Sequence, residues 1–163
     1  MRDEQDAFGH ELMDHFRGHP VVEVVERDDG SIMTGLGPQA YFAPFRRWHS
    51  IERRAMRYVR GRVLDVGSGA GRMGLHLQGR GHEVVCLDNS PLALEVCRER
   101  GLEETRLMSV YQVSRSLGTF DTVLMMGGNL GLLGDHNRGT RLLERFDRTT
   151  TRHARIIGVT RDP

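Results

Sequence analysis

The chain has 163 residues, of which 38% are hydrophobic and 28% are charged, a composition typical of one folded domain. Its 23 basic and 22 acidic residues nearly cancel, so we expect no nucleic-acid partner and no anionic membrane surface. All of the basic residues are arginine, which excludes Schiff-base chemistry, a pyridoxal phosphate anchor and the phosphate-binding lysine of a P-loop. The two cysteines, Cys86 and Cys97, lack metal-like spacing and are expected to be buried thiols in a reducing compartment.

Residues 1–35 are predicted to form an N-terminal arm or appendage, because they mix runs of charge with a short valine-rich pair. Three histidines, His10, His15 and His19, lie in this arm, but their irregular spacing and the absence of a neighbouring cysteine predict no metal site. The start of the chain is charged where a secretion signal would be apolar, which favours a cytoplasmic protein. The longest segment of low charge is shorter than the roughly 20 residues needed to cross a bilayer.

Residues 36–163 are predicted to form the ligand-binding domain. Apolar residues at steps of three and four predict a helix over 43–60, and Gly61 ends it. Apolar segments of strand length then alternate with helical segments. The predicted strands are 62–66, 83–88, 105–110, 120–126 and 154–159, with one helix over 71–80, one after Ser90 and one over 136–148. This alternation predicts an α/β fold with a doubly wound, mostly parallel sheet, whose ligand binds at the carboxyl ends of the strands.

The segment VLDVGSGAGRMG, residues 63–74, fits two kinds of ligand. Its later glycines match the dinucleotide pattern G-x-G-x-x-G, and Asp88 follows the first of them by 19 residues, close to the spacing of a ribose contact. Asp65, however, places a carboxylate at the mouth of the loop, where it would repel a pyrophosphate and attract a cation. S-adenosylmethionine carries an ammonium, a sulfonium and a carboxylate but no phosphate, and therefore fits this loop better.

Three segments in order resemble the Rossmann-like (class I) S-adenosylmethionine-dependent methyltransferase family, namely VLDVGSGAG, VVCLDNSP and FDTVLMMGGNLGLL. The resemblance covers roughly residues 40–160 and implies S-adenosylmethionine as the cofactor. It implies that Asp65 and the loop backbone hold the methionyl part, that Asp88 binds the ribose hydroxyls, and that Asn89 flanks the adenine. The cofactor-binding residues implied are Asp65, Gly67, Ser68, Gly69, Gly71, Asp88, Asn89, Ser109, Val110 and Gly127.

The sequence departs from this family at two places. Many members carry an acid after the third strand that holds the adenine amino group, whereas this chain has Met108, Ser109 and Val110, so adenine recognition would rest on the Ser109 hydroxyl or on backbone groups. The family fold also adds a helix and two strands after the fifth strand. Without them the apolar segment 154–159 would be an exposed sheet edge, and we expect the domain to lack its last helix and two strands.

The resemblance predicts a methyltransferase acting on a small-molecule acceptor, with the acceptor atom and the oligomeric state left open. Weak candidates for a catalytic role are Asn129, His136 and Tyr41. The pattern favours a loop-structuring amide for Asn129 and a solvated residue for His136, and Tyr41 is either a lid over the ligand or simple packing. Two alternatives remain open: an NAD-dependent oxidoreductase, which would tolerate loss of Asp65, and a catalytically silent S-adenosylmethionine-binding module.

Overall fold

The computed structural model describes residues 3–35 and 37–160. Its main sheet has five strands: β3 (Val63–Val66), β4 (Val84–Asp88), β5 (Glu104–Leu107), β6 (Phe120–Met125) and β7 (Thr150–Gly158). The strand order is β5-β4-β3-β6-β7, and all four pairings are parallel. The helices that follow β3, β4 and β6 are α4 (Arg72–Gln78), α5 (Pro91–Glu99) and α6 (His136–Thr149). The predicted α/β fold with a parallel sheet is confirmed.

Helices cover both faces of this sheet, as expected for a doubly wound fold. Side chains of β3 and β4 alternate between the two faces, so Val63 and Val84 pack in one core cluster with α4 and α5, while Leu64 and Val85 pack in the other with α6. The same alternation places Asp65 and Asp88 on the face of α4 and α5. Both carboxylates therefore emerge on one side of the sheet, at the ends of neighbouring strands.

The ligand-binding edge is set by the order of the strands. From the central strand β3 the chain runs outward through β4 and β5, then returns to form β6 and β7 on the other side of β3. Connections after β3 and β6 thus diverge, which opens a crevice at the carboxyl ends of these strands. The glycine-rich segment 67–71 begins at this point.

The first part of the chain forms α1 (Ala7–Phe16), an antiparallel hairpin of β1 (Val24–Glu26) and β2 (Ile32–Thr34), and α2 (Gln39–Phe42). Helix α1 packs on α5, where Leu12 and Met13 are buried against Ala93 and Val96. The boundary between an arm (1–35) and a domain (36–163) remains a prediction. Residues 1–2, 36 and 161–163, which belong to those two ranges, lie outside the described residues.

The predicted continuous helix over 43–60 is wrong. This segment forms two 3-10 turns, Phe45–Arg47 and Met56–Tyr58, on either side of α3 (Ser50–Ala55). Trp48 has an extended backbone between them and is buried, with its indole N–H donating to the Ala43 carbonyl at 2.7 Å. Burial of this one large side chain outweighs the local helical preference, and apolar residues three or four apart line short turns as well as a helix.

The far edge of the sheet is β7, where Ile156 is 43% exposed. Within 3–35 and 37–160, no helix or strand follows β7. None of the helices in these ranges has the length and apolar character needed to cross a membrane.

Candidate functional site

A cavity of about 410 Å³ opens at the carboxyl edge of the sheet. Its walls come from the glycine-rich segment, the ends of β4 and β5, the connection after β6 and two aromatic side chains from the N-terminal part. The predicted cofactor-binding residues that line it are Asp65, Gly67, Ser68, Gly69, Asp88, Asn89, Ser109, Val110 and Gly127. The predicted residue Gly71 lies just outside this lining, as the N-cap of α4.

The loop from β3 to α4 requires glycine for two different reasons. Gly69 has a φ of +54°, a conformation that other residues rarely adopt, and this turn brings its backbone to the cavity wall. Gly71 has a φ of +75°, and a Cβ there would lie 2.4 Å from Leu102 Cδ1. The first glycine therefore brings backbone to the cavity, and the second lets α4 begin against the hydrophobic core.

Asp65 is a buried carboxyl group on the cavity wall, with a side chain only 3% exposed. Burial raises the pKa of Asp65 to about 7, and the charge of Asp88 acts in the same direction. A hydrogen bond from the Gly74 backbone N–H and the charge of Arg72 favour the ionised form but do not offset the burial. A cation placed beside this carboxylate would lower its pKa, so the site is suited to a positively charged ligand group.

Asp88 ties the glycine loop to the end of β4. Its Oδ2 accepts the Gly69 backbone N–H at 2.9 Å, and its Oδ1 accepts the Ser90 backbone N–H at 3.0 Å. Burial nevertheless raises the pKa of Asp88, against these hydrogen bonds. Each carboxylate oxygen can accept a second hydrogen bond, so both remain able to bind ligand hydroxyls while holding the loop.

Asn129 braces the same loop from the opposite side. Its Nδ2 donates to the Val66 carbonyl at 2.8 Å and to the Gly67 carbonyl at 3.0 Å. A Cβ on Gly67 would lie 2.4 Å from this nitrogen, so the glycine makes room for the amide. This geometry is that of a loop-structuring side chain. A catalytic role for Asn129 remains a prediction.

The other two catalytic candidates occupy different environments. Tyr41 lines the cavity, and its ring packs edge-on against Phe8 with the centroids 5.1 Å apart. His136 is exposed at the start of α6 and does not line the cavity. The structure thus brings Tyr41 and Asn129 to the site and leaves His136 outside it.

The cavity wall after β5 contains Ser109 and Val110, where many members of the family carry an acid. The Ser109 hydroxyl accepts the Tyr111 backbone N–H at 3.3 Å, and the Ser109 N–H donates to Gln112 Oε1 at 2.8 Å, which together cap a 3-10 turn. The Tyr111 hydroxyl donates to the Leu132 carbonyl at 2.6 Å, linking this turn to the connection after β6. The strand ends at Leu107, earlier than the predicted residue 110, so Ser109 lies in the turn rather than the strand.

Sequence analysis missed several residues of the cavity wall, among them Phe8, Arg72, Tyr111 and Leu132. Arg72 directly follows the glycine loop and was detectable from its place at the start of a predicted helix. Phe8 belongs to the N-terminal arm and has no local signal, because its position depends on how α1 packs. Among the described residues, no three side chains of His, Cys, Asp or Glu are grouped to hold a metal ion. Cys86 is buried and free, as predicted, and so is Cys97.

A family model described as a methyltransferase domain matches residues 63–152, more than half of the chain. The chain belongs to this methyltransferase domain family. The matched range runs from β3 into β7 and contains the glycine loop, both strand-end aspartates and Asn129. The resemblance to class I methyltransferases drawn from three sequence segments is confirmed.

Solved structures support the same assignment of the methyltransferase fold. A crystal structure of an S-adenosylmethionine-dependent methyltransferase from Bacteroides fragilis, in complex with S-adenosyl-L-homocysteine, matches with a TM-score of 0.81 and 25% identity over 96% of this chain. This chain spans 65% of that protein's length. Two further structures, under 25% identical, show likeness of fold alone. The first is the PH0226 protein from Pyrococcus horikoshii OT3, with a TM-score of 0.56 and 24% identity, covering 67% of this chain and 54% of that one. The second is the glycopeptide N-methyltransferase MtfA complexed with (S)-adenosyl-L-methionine, with a TM-score of 0.53 and 22% identity, covering 66% of this chain and 51% of that one.

Proposed function

We propose that this methyltransferase domain binds S-adenosylmethionine in the cavity at the carboxyl edge of the sheet and transfers its methyl group to a small-molecule acceptor. The observation that carries the proposal is the pairing of two buried carboxyl groups, Asp65 and Asp88, on the wall of one cavity beside the glycine loop. Membership of the family supports it. So does the Bacteroides fragilis structure, which is described as a complex with S-adenosyl-L-homocysteine.

In this proposal the predicted cofactor-binding residues bind different parts of S-adenosylmethionine. Asp65 holds the cationic amino group of the methionyl part, and the backbone around Gly69 lies against its chain. Asp88 accepts hydrogen bonds from the ribose hydroxyls. The adenine lies between Asn89 and the turn after β5, where the backbone at Val110 and the hydroxyl of Ser109 are its polar partners. Gly127 offers backbone groups near the methionyl amino group.

The residues of the chain align the reactants and exclude water, since the sulfonium of S-adenosylmethionine, when bound, supplies an already activated methyl group. The acceptor atom's lone pair forms the new bond to the methyl carbon while the methyl–sulfur bond breaks, and that electron pair stays on the sulfur. Any proton on the acceptor atom leaves to water or to a nearby base. Phe8 and Tyr41, packed edge-on at the cavity, shield the reacting centre from solvent.

The position of Asp65 favours this donor over NAD. Its carboxyl group accepts the backbone N–H of Gly74 in the first turn of α4, so one N–H of the helix end that a pyrophosphate would require is already used, and the ionised form of Asp65 would repel a phosphate there. A catalytically silent binding module would share every feature of the donor cavity and is distinguished only by assaying transfer. The cytoplasmic location expected from the sequence stays a prediction.

Ligand-induced stabilisation of the full chain tests the proposal. A ligand that binds only the folded state at about 100 times its dissociation constant raises the free energy of unfolding by about 2.7 kcal/mol. We expect S-adenosylhomocysteine to raise the melting temperature and NAD to leave it unchanged, measured by differential scanning calorimetry at matched concentrations. Equal shifts with both ligands, or a shift with NAD alone, would contradict the donor assignment.

A further inference from the structure

A second cavity, of about 630 Å³, lies beside the donor cavity. The two share Tyr41, Arg72 and Gly127, so they meet along one boundary. Gly127 has a φ of +64° and no atom within 4 Å of its missing Cβ, which keeps this boundary free of a side chain. The remaining wall is mainly apolar, with contributions from Ala40, Ala43, Trp48, Ile51 and Val159. Its size and lining are those of a site for a small organic molecule.

Of the three charged side chains that line this second cavity, two form an ion pair with each other. Glu52 and Arg72 form an ion pair with both side chains at most 17% exposed, and Glu52 Oε2 also accepts the His49 backbone N–H at 3.1 Å. The Arg72 guanidinium lies 5.0 Å from the centroid of the Trp48 ring. These two charges therefore neutralise each other within the wall.

Arg47 is the cation of this wall that lacks an anionic partner. Its side chain forms no ion pair or hydrogen bond with the part of the chain that the structure describes. His49 adds a hydrogen-bond donor: its Nδ1 accepts the Ile51 backbone N–H at 3.4 Å, which leaves Nε2 as the ring nitrogen that can donate. The second cavity thus combines an apolar interior with a surplus of hydrogen-bond donors and one uncompensated positive charge.

We infer that this second cavity is the acceptor site and that it takes a small, mainly apolar molecule bearing a carboxylate, with the carboxylate against Arg47. The inference rests on the proposed function, because the acceptor must reach the donor across the shared boundary. The apolar wall contacts the apolar part of the molecule, and Arg47 and His49 bind the carboxylate. A nucleophilic group at the opposite end of the molecule then points to the boundary formed by Tyr41 and Gly127, where the methyl group is transferred.

The chain carries its own reporter for this site. Trp48 is the single tryptophan of the sequence, it lines the second cavity, and its indole N–H donates to the Ala43 carbonyl at 2.7 Å. A ¹H–¹⁵N correlation spectrum of the ¹⁵N-labelled protein therefore contains one indole N–H cross-peak. A change in that peak reports binding in the second cavity and is insensitive to the absorbance of aromatic ligands.

The experiment compares three molecules that share one ring and one hydroxyl group and differ in charge. They are 4-hydroxyphenylacetate, 4-hydroxyphenylacetamide and tyramine, titrated in the presence of saturating S-adenosylhomocysteine while the Trp48 indole peak is followed. We expect the carboxylate to bind about 3- to 10-fold more tightly than the amide, since Arg47 is exposed and its pairing is screened by water, and tyramine to bind most weakly.

The Arg47→Gln variant should bring the carboxylate to within about twofold of the amide. Arg46→Gln is the matched control, because Arg46 precedes it in the same 3-10 turn but does not line the cavity, and this variant should keep the preference. If none of the three molecules moves the Trp48 peak, if tyramine binds best, or if Arg47→Gln leaves the preference intact, the inference is overturned. If calorimetry shows that S-adenosylhomocysteine does not bind, that result contradicts the proposed function itself.

Discussion

The Ser90 hydroxyl donates a hydrogen bond to the carboxylate of Asp6 at 2.8 Å, across 84 residues of chain. The same carboxylate accepts the Leu92 backbone N–H at 3.2 Å and, through its other oxygen, the Gly9 backbone N–H at 3.0 Å. One buried acid therefore caps both α1 and α5. Because α5 begins just after Asp88, this link positions the N-terminal helix, and with it Phe8, over the donor cavity.

Replacing Asp6 should test this link directly. Asp6→Ala leaves the first N–H groups of two helices without their acceptor, and we expect a loss of about 1 to 3 kcal/mol in the free energy of unfolding. Urea denaturation measures it. Asp14→Ala is the matched control, since Asp14 lies on the same helix in an exposed pair with His19, and should change stability by no more than about 0.5 kcal/mol. Equal effects of the two substitutions would show that Asp6 is not a shared cap.

Asp65→Asn separates a charge effect from damage to the glycine loop. The substitution keeps the shape and removes the charge that faces the cationic end of S-adenosylmethionine, so binding should weaken by about 1 to 3 kcal/mol. Adenosine lacks the amino acid part and should bind within about twofold of the wild type. Calorimetry on both ligands checks this. An unchanged affinity for S-adenosylmethionine would mean that the carboxylate does not face the ligand.

Affinity for the donor should depend on pH through the same group. The pKa of Asp65 is about 7 in the ligand-free protein, and the ligand's ammonium group favours the ionised carboxylate. Binding therefore requires loss of a proton below pH 7, and the affinity for S-adenosylhomocysteine should fall about tenfold between pH 8 and pH 6. The Asp65→Asn variant should show a flat profile over this range. A wild-type profile as flat as the variant's would contradict the assignment.

Stability of the ligand-free protein should have the opposite dependence on pH. The folded-state pKa of Asp65 lies above that of an unfolded aspartate, so the folded chain holds the proton more tightly. This contribution is fully present below about pH 4 and is lost as the pH rises through about 7. Asp65→Asn should therefore raise the free energy of unfolding at pH 8, by up to a few kcal/mol, and raise it much less at pH 4. Chemical denaturation at the two pH values tests this, and an equal effect at both would argue against a buried, proton-binding Asp65.

Asp88→Ala should weaken both ligands, unlike Asp65→Asn. It removes the acceptor for two backbone N–H groups and, in the proposed function, for the ribose hydroxyls that S-adenosylmethionine and adenosine share. Each charge-assisted hydrogen bond lost costs about 1.5 to 3 kcal/mol. Calorimetry with both ligands measures the effect. If adenosine binds Asp88→Ala as well as it binds the wild type, Asp88 is not the ribose ligand.

The sequence by itself determined the sheet and the polar groups at its edge. Short, continuous apolar segments of strand length specify buried strands, and glycines after the first strand specify a loop with positive φ, which Gly67, Gly69 and Gly71 adopt. Two aspartates at strand ends are brought together by parallel pairing alone, because carboxyl ends of neighbouring strands meet at one edge. These signals are local or follow from the period of a strand, so they are visible without the tertiary structure.

Only the tertiary structure decided what covers that edge. Phe8 and Asp6 reach the site through the packing of α1 on α5, and Trp48 divides the predicted helix over 43–60 because its burial outweighs local preference. The partnering of Glu52 with Arg72, which leaves Arg47 as the uncompensated cation, joins residues 20 positions apart. Such contacts depend on which segments, distant in sequence, pack against each other, and neither hydrophobic periodicity nor a short motif predicts that packing. The donor edge could therefore be predicted from the sequence, while its cover and the neighbouring cavity could not.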